Sequence, residues 1–128
     1  MNERNINNNK PNPLKDKSFQ FALNIVRLYK YLVEDKREYI LSKQLLRSGT
    51  SIGANIREGQ NAQSKADFIH KFSIAQKECD ETLYWLELLH QSEYLEENEF
   101  NKIHSDANEL LKMLRSSILT TKQNIHHL

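Results

Sequence analysis

After Pro13 the chain runs to Leu128 without another proline, and after Gly59 without another glycine. Strands must be joined by reversals, and tight reversals draw on Gly, Pro and Asn for conformations that other residues adopt at a cost. A chain this poor in them turns seldom. The structure that satisfies backbone N–H and C=O groups over long unbroken stretches is the α-helix. The sequence therefore predicts a few long helices and no sheet. With 128 residues, of which 38% are hydrophobic, there is material for one domain with a modest core.

Residues 1–15 are Asn-rich with two prolines and nothing to bury, and read as a disordered polar tail. The first helix is expected over about Asp16 to Glu34. Phe19, Leu23, Val26, Tyr29 and Val33 recur at helical spacing as its core stripe, and Phe21, Ile25, Leu28 and Leu32 form a second. A second helix is expected over about Arg37 to Glu58, with Leu41, Leu45, Ser48, Ile52 and Ile56 inward. Gly49 and Gly53 thin one edge of it, each at about 1 kcal/mol of helix propensity. A neighbouring backbone packed close there, or a bound ligand, would explain that cost. Gly59 fits the left-handed position that ends a helix. Ser64 and Asp67 form a capping pair that opens the third helix, which reaches about His90. Its stripe is Phe68, Phe72, Ala75, Cys79, Thr82 and Leu86, and Ile74, Trp85 and Leu88 lie on another face. The fourth helix, about Glu96 to Gln123, carries Phe100, Ile103, Ala107, Leu110, Leu114, Ser117 and Thr121 in alternating steps of three and four. Residues 124–128 are expected to fray. The reading is an all-α, antiparallel up-down-up-down four-helix bundle over 16–123. Second stripes on the first and third helices need a partner, and self-association would cover them.

Catalytic constellations are not found. Di-metal bundles use Glu-x-x-His on two helices, plus a Glu from each of two others. Glu87-x-x-His90 fits once, and Asp67-x-x-His70 is a loose second on the same helix. Cys79 falls on an apolar stripe, where a free thiol behaves as a small hydrophobe. It also excludes an intramolecular disulfide and fits a reducing compartment. There is no strand–loop–helix phosphate cradle, and His126-His127 is a poor metal pair. The expectation is a non-enzymatic protein with no cofactor and no metal. The start is polar, and no run approaches the roughly 18 apolar residues of a membrane span, so the chain reads as cytoplasmic without a membrane partner.

Charge is uneven. Residues 1–77 hold 14 Lys and Arg against 7 Asp and Glu, and residues 78–128 hold 4 against 10. On a helical wheel Lys36, Lys43 and Arg47 fall within about 40° of one another, a face suited to phosphate. They are the candidate nucleic-acid contacts. A solvated basic face is the alternative, and no recognition helix, zinc finger or RRM signature is present.

Gln44-Leu45, Arg47-Ser48, Ser51-Ile52, Asn55-Ile56 and Glu58-Gly59, then Asp67-Phe68, Ile74-Ala75 and Glu81, form a pattern that resembles the bacterial 23S rRNA intervening-sequence proteins. It covers about residues 16–122. Cys79-Asp80 stands where a small or Ser-containing pair is expected. The resemblance implies a four-helix bundle assembled as a homopentameric ring. It is similar also to accessory proteins of diversity-generating retroelements, which are basic pentamers that bind nucleic acid and reverse transcriptase. RNA or DNA, and a nucleic-acid-processing protein, are the partners this implies; a protein-interaction scaffold with no nucleic-acid role is the alternative. Gln44, Ser48, Ser51, Asn55, Glu58 and Glu81 are expected to form an interhelical or intersubunit polar network, with Arg47 or Arg57 pairing Glu58 or Glu81.

Overall fold

The computed structural model describes residues 10–126. Its first helix, α1, spans Pro13–Glu34. The Asn12 side chain accepts the Lys15 N–H at 3.2 Å and Pro13 takes the first helical position, where its missing N–H is no loss. The helix thus starts three residues before the expected Asp16, and residues 13–15 belong to the bundle rather than to a tail. Asn12 and Gln60 also exchange two amide hydrogen bonds, at 3.1 and 3.0 Å, which tie the start of α1 to the end of the second helix. Residues 1–9 of the expected tail lie outside the described residues.

The second helix, α2, spans Leu41–Gln60 and starts later than expected. Arg37 adopts a left-handed φ of 53°, which breaks the helical path there. The carboxylate of Glu38 then accepts the N–H groups of Ile40, Leu41 and Ser42 at 3.1, 3.0 and 2.6 Å. It serves as the cap that Ile40, at the formal cap position, has no side-chain acceptor to provide. The third helix, α3, spans Lys65–Gln91, and the Ser64 hydroxyl accepts the Asp67 N–H at 3.1 Å as the capping pair predicts. Glu93, with φ 70°, turns the chain into α4, Glu97–His126. That last helix continues through the segment expected to fray, of which 127–128 lie outside the described residues.

Pairings between helices fix their directions. Gly49 lies against Ile25 and Gly53 against Ser18; Arg47 meets Glu81, and Gly59 meets Phe72. Cys79 faces Ala107 and Glu87 faces His104. Lys17 meets Glu109. In the first three pairings rising numbers on one helix match falling numbers on the next, so consecutive helices run antiparallel, and α1 and α4 are thereby antiparallel as well. Each packs on two neighbours, with α1 against α4 closing the square, and no strand occurs among the described residues.

The inward stripes of α2 and α3 are those expected, with Leu41 and Phe68 half-buried at the ends. On α4 Ile103, Ala107, Leu110 and Leu114 are buried as expected, but Phe100, Ser117 and Thr121 are half-buried, and Leu111 and Ile118 beside the stripe are buried instead. On α1 the two stripes exchange roles. Phe21, Ile25, Leu28 and Leu32 are buried, whereas Phe19 and Leu23 are 55% and 38% exposed. The cause is the close α1–α2 approach. A methyl at Gly49 would stand 2.8 Å from Ile25 Cγ1, and one at Gly53 would stand 3.3 Å from the Ser18 carbonyl oxygen. The bare edge of α2 seats the Ile25 side of α1. This is the close backbone packing that the glycine spacing allowed. Gly59 has another role than expected. Its φ is not positive; it lies buried within α2, where a Cβ would come within 2.6 Å of the Phe72 ring.

Candidate functional site

The motif-bearing centre of the chain folds into a clamp between α2 and α3. Arg47 is half-exposed, and its Nη1 donates to Glu78 Oε2 at 3.1 Å while Nη2 donates to Glu81 Oε1. Trp85 Nε1 donates to the same Glu81 oxygen at 3.2 Å. Glu78, Glu81 and Trp85 stand at i, i+3 and i+7, on one face of α3. One residue further along each helix the contact turns inward. Ser48 and Thr82 are buried with their hydroxyl oxygens 2.9 Å apart, and Thr82 donates to the Glu78 carbonyl at 2.8 Å. A charged layer thus lies over a hydroxyl layer. Hydrogen bonds from Arg47, then from Trp85, hold the Glu81 carboxyl below the usual carboxylate range against a smaller opposing effect of burial. Glu81 in turn holds the Arg47 guanidinium further up.

The expected network is therefore present in part. Arg47 with Glu81, and Ser48, join two helices. Ser51 donates to the Arg47 carbonyl at 2.6 Å and Asn55 to the Ser51 carbonyl at 2.9 Å, so both bond back onto their own helix. Glu58 pairs with Lys71 at 3.7 Å rather than with an arginine, and Gln44 is exposed. Glu78, Thr82 and Trp85 complete the clamp without having been read as part of it. The signal was their helical spacing around Glu81, masked because Trp85 reads first as an apolar residue.

The proposed basic face does not come together as expected. Lys36 lies in the link before α2, with its ammonium 5.9 Å from the centre of the Tyr31 ring. The helical wheel fails for it because α2 begins five residues later. Arg47 spends its charge on two carboxylates. Lys43 stays exposed on α2.

Positive charge gathers instead at one end of the bundle. There α1 and α3 begin and α2 and α4 end. Residues 10–20, 54–74 and 109–126 bring nine cations to it, among them Lys15, Arg57, Lys65, Arg115 and Lys122, against four carboxylates, Asp16, Glu58, Asp67 and the Glu109 that Lys17 meets. At the opposite end, residues 30–44 and 84–100 hold eight carboxylates against four cations. The antiparallel fold converts the imbalance along the chain into polarity along the bundle.

Other chemical groups are accounted for structurally. Burial, then the neighbouring Asp80, pushes the Cys79 thiol up to about 12, and its Sγ points at the Ala107 carbonyl oxygen at 3.2 Å. A thiol so placed is not a nucleophile at neutral pH. Glu87 pairs with His104 Nε2 at 3.0 Å, while His90 stacks on Phe100 with ring centres 4.1 Å apart. The Glu87–His90 spacing thus serves an α3–α4 contact, and no cluster of three metal-ligating side chains occurs among the described residues. Nor, among them, is any helix long and apolar enough to cross a membrane.

A crystal structure of a protein with unknown function from the S23 ribosomal protein family, from Bacteroides thetaiotaomicron VPI-5482, is similar in fold and sequence. Identity is 56%, the match covers 82% of this chain and 97% of that one, and the TM-score is 0.81. No functionally curated protein matches. The pattern described as 23S rRNA-intervening sequence protein matches residues 12–116, which include all of α1, α2 and α3 and most of α4. The chain belongs to the 23S rRNA-intervening sequence protein family.

Proposed function

We propose that this protein is a non-enzymatic, self-assembling accessory factor that binds RNA or DNA through the basic end of its bundle. The observation that carries the reading is the nine-to-four excess of cations at that end. Lys65, Arg115 and Lys122 are exposed there, so each can neutralise a phosphate and release its counterion. Assembly into a ring, five-membered on the family resemblance, would set several such ends side by side. Contacts that are individually weak then add through multivalency. A nucleic-acid-processing protein is the partner such a factor would serve. The family's description favours RNA as the first probe.

The experiment is a titration of labelled RNA and DNA oligonucleotides at several salt concentrations. Phosphate binding gives an affinity that falls linearly in log–log form as salt rises; affinity absent at low salt would reject the reading.

A second reading is a protein-interaction scaffold with no nucleic-acid role. Two observations favour it. Arg47 is neutralised within the chain, and Phe19 and Leu23 present apolar surface on α1. It predicts no affinity for either oligonucleotide at any salt concentration.

A further inference from the structure

The exchange of stripes on α1 leaves an apolar channel on the outside of the bundle. Phe19 and Ala22 from α1, with Thr50, Gly53 and Ala54 from α2, line a groove of about 360 Å³. Its floor is low because Gly53 and Ala54 have almost no side chain. Lys15 and Arg57 stand on its rim, and the Arg57 guanidinium lies 5.9 Å from the centre of the Phe19 ring. The one carboxylate among the lining residues, Glu58, already faces Lys71. A groove of this kind fits an apolar ridge flanked by negative charge.

The chain carries such a ridge. On α3, Tyr84 and Leu88 are 58% and 37% exposed, one turn apart. Exposed Asp80 precedes them by a turn and is the free carboxylate of the ridge; Glu87, beside Leu88, faces His104, and Lys77 lies a further turn back. The other exposed apolar pair in the C-terminal half, Leu119 and Ile125 on α4, is interleaved with Lys122 and follows Arg115. That sign repels the groove rim. Charge thus selects between the two surfaces.

We infer that the α1–α2 groove of one copy receives the Tyr84–Leu88 ridge of α3 from a second copy of this chain. The inference rests on the self-assembly in the proposed function and adds the two faces that meet. Groove and ridge are different surfaces, so the contact is heterologous. Every added copy leaves one groove and one ridge free, and assembly continues until the rotation closes a ring. Apolar side chains on both faces leave water, and Asp80 comes to the cationic rim.

Two substitutions test it, Phe19→Asp and Tyr84→Asp, read by light scattering at micromolar concentration with helix content checked by circular dichroism. Both positions are exposed, so the bundle itself keeps its core. Each variant alone should run at monomer mass. An equal mixture should run at dimer mass and no larger, because it contains one intact groove and one intact ridge per pair. A Tyr84→Asp variant that assembles like the parent overturns the pairing of faces but leaves self-assembly standing, and so does a mixture that stays monomeric. A monomeric parent overturns both. As a milder probe, Asp80→Lys should weaken assembly several-fold, with the difference shrinking as salt rises; assembly unchanged at low salt counts against the charge argument.

Discussion

At Glu38 burial and hydrogen bonding oppose each other, and hydrogen bonding wins. Burial pushes the carboxyl up, while the N–H groups of Ser42, Leu41 and Ile40 stabilise its charged form, and the net result lies below the ordinary carboxylate value. A depressed folded pKa means that the unfolded chain binds the proton first. The contribution of Glu38 is therefore complete above the ordinary carboxylate range and is lost as pH falls through the depressed native value. Glu38→Gln should cost about 1 kcal/mol at neutral pH, as loss of a helix cap does, and should flatten the acid limb of stability against pH. Urea unfolding of both proteins across the acid range checks this. A variant with an unchanged acid limb would remove Glu38 from the account.

The clamp offers a second comparison between single side chains. Arg47 is 51% exposed, so water screens its pairs and Arg47→Ala should cost no more than about 1 kcal/mol. Thr82→Val keeps the volume but leaves the buried Ser48 hydroxyl with only a 3.4 Å approach to the Leu45 carbonyl. The cost should be about 1 to 2 kcal/mol. Equilibrium unfolding of the two variants should rank the quiet hydroxyl pair at or above the conspicuous ion pair. The opposite ranking would mean that the charged layer holds α2 to α3. The Arg47–Glu81 pair was one of the pairings the motif left open, beside Arg57 and Glu58. Glu78 and Glu38 could not be read at all, because a surface carboxylate on a helix looks the same whether it is paired, capping or idle.

At the scale of the elements, the number, order and approximate ends of the helices were legible because apolar periodicity and the scarcity of breakers point the same way. What was not legible shares one physical cause. Period 3.6 reports which residues share a face, not which of two apolar faces turns inward. On α1 that choice is made by glycines on a different helix, Gly49 and Gly53, whose missing side chains admit Ile25 and the Ser18 backbone. Likewise the left-handed residues in two of the links are Arg37 and Glu93, types for which that conformation is uncommon. Gly59 looked like the stop signal because glycine ends helices more often than it makes room for a ring. The two roles predict opposite mutant rankings. At a left-handed cap Asn is tolerated better than Ala. Against the Phe72 ring the larger side chain is worse, so Gly59→Ala should cost about 1 to 3 kcal/mol and Gly59→Asn more. Thermal unfolding of the pair decides, and a more stable Asn variant would restore the cap role.

For the whole molecule, the polarity of the bundle was hidden in plain view. The linear imbalance at residue 77 cuts through the middle of α3, whereas the folded imbalance separates the two ends. Lys36, Lys43 and Arg47 therefore lie away from the positive end although all three come from the basic part of the chain. The contacts proposed for nucleic acid are accordingly Lys65, Arg115 and Lys122, which also stay clear of the α1–α2 groove. Binding and assembly can then be perturbed separately. The most direct measurement is oligonucleotide affinity from about 50 to 200 mM salt for three proteins: the parent, a Lys65→Glu, Arg115→Glu, Lys122→Glu variant, and a Lys36→Glu, Lys43→Glu variant. The first variant should lose most of the affinity and about one unit of log–log salt slope for each phosphate contact removed. The second should bind nearly as the parent does. Binding unaffected by reversal at the basic end, or lost equally with Lys36 and Lys43, would contradict the account.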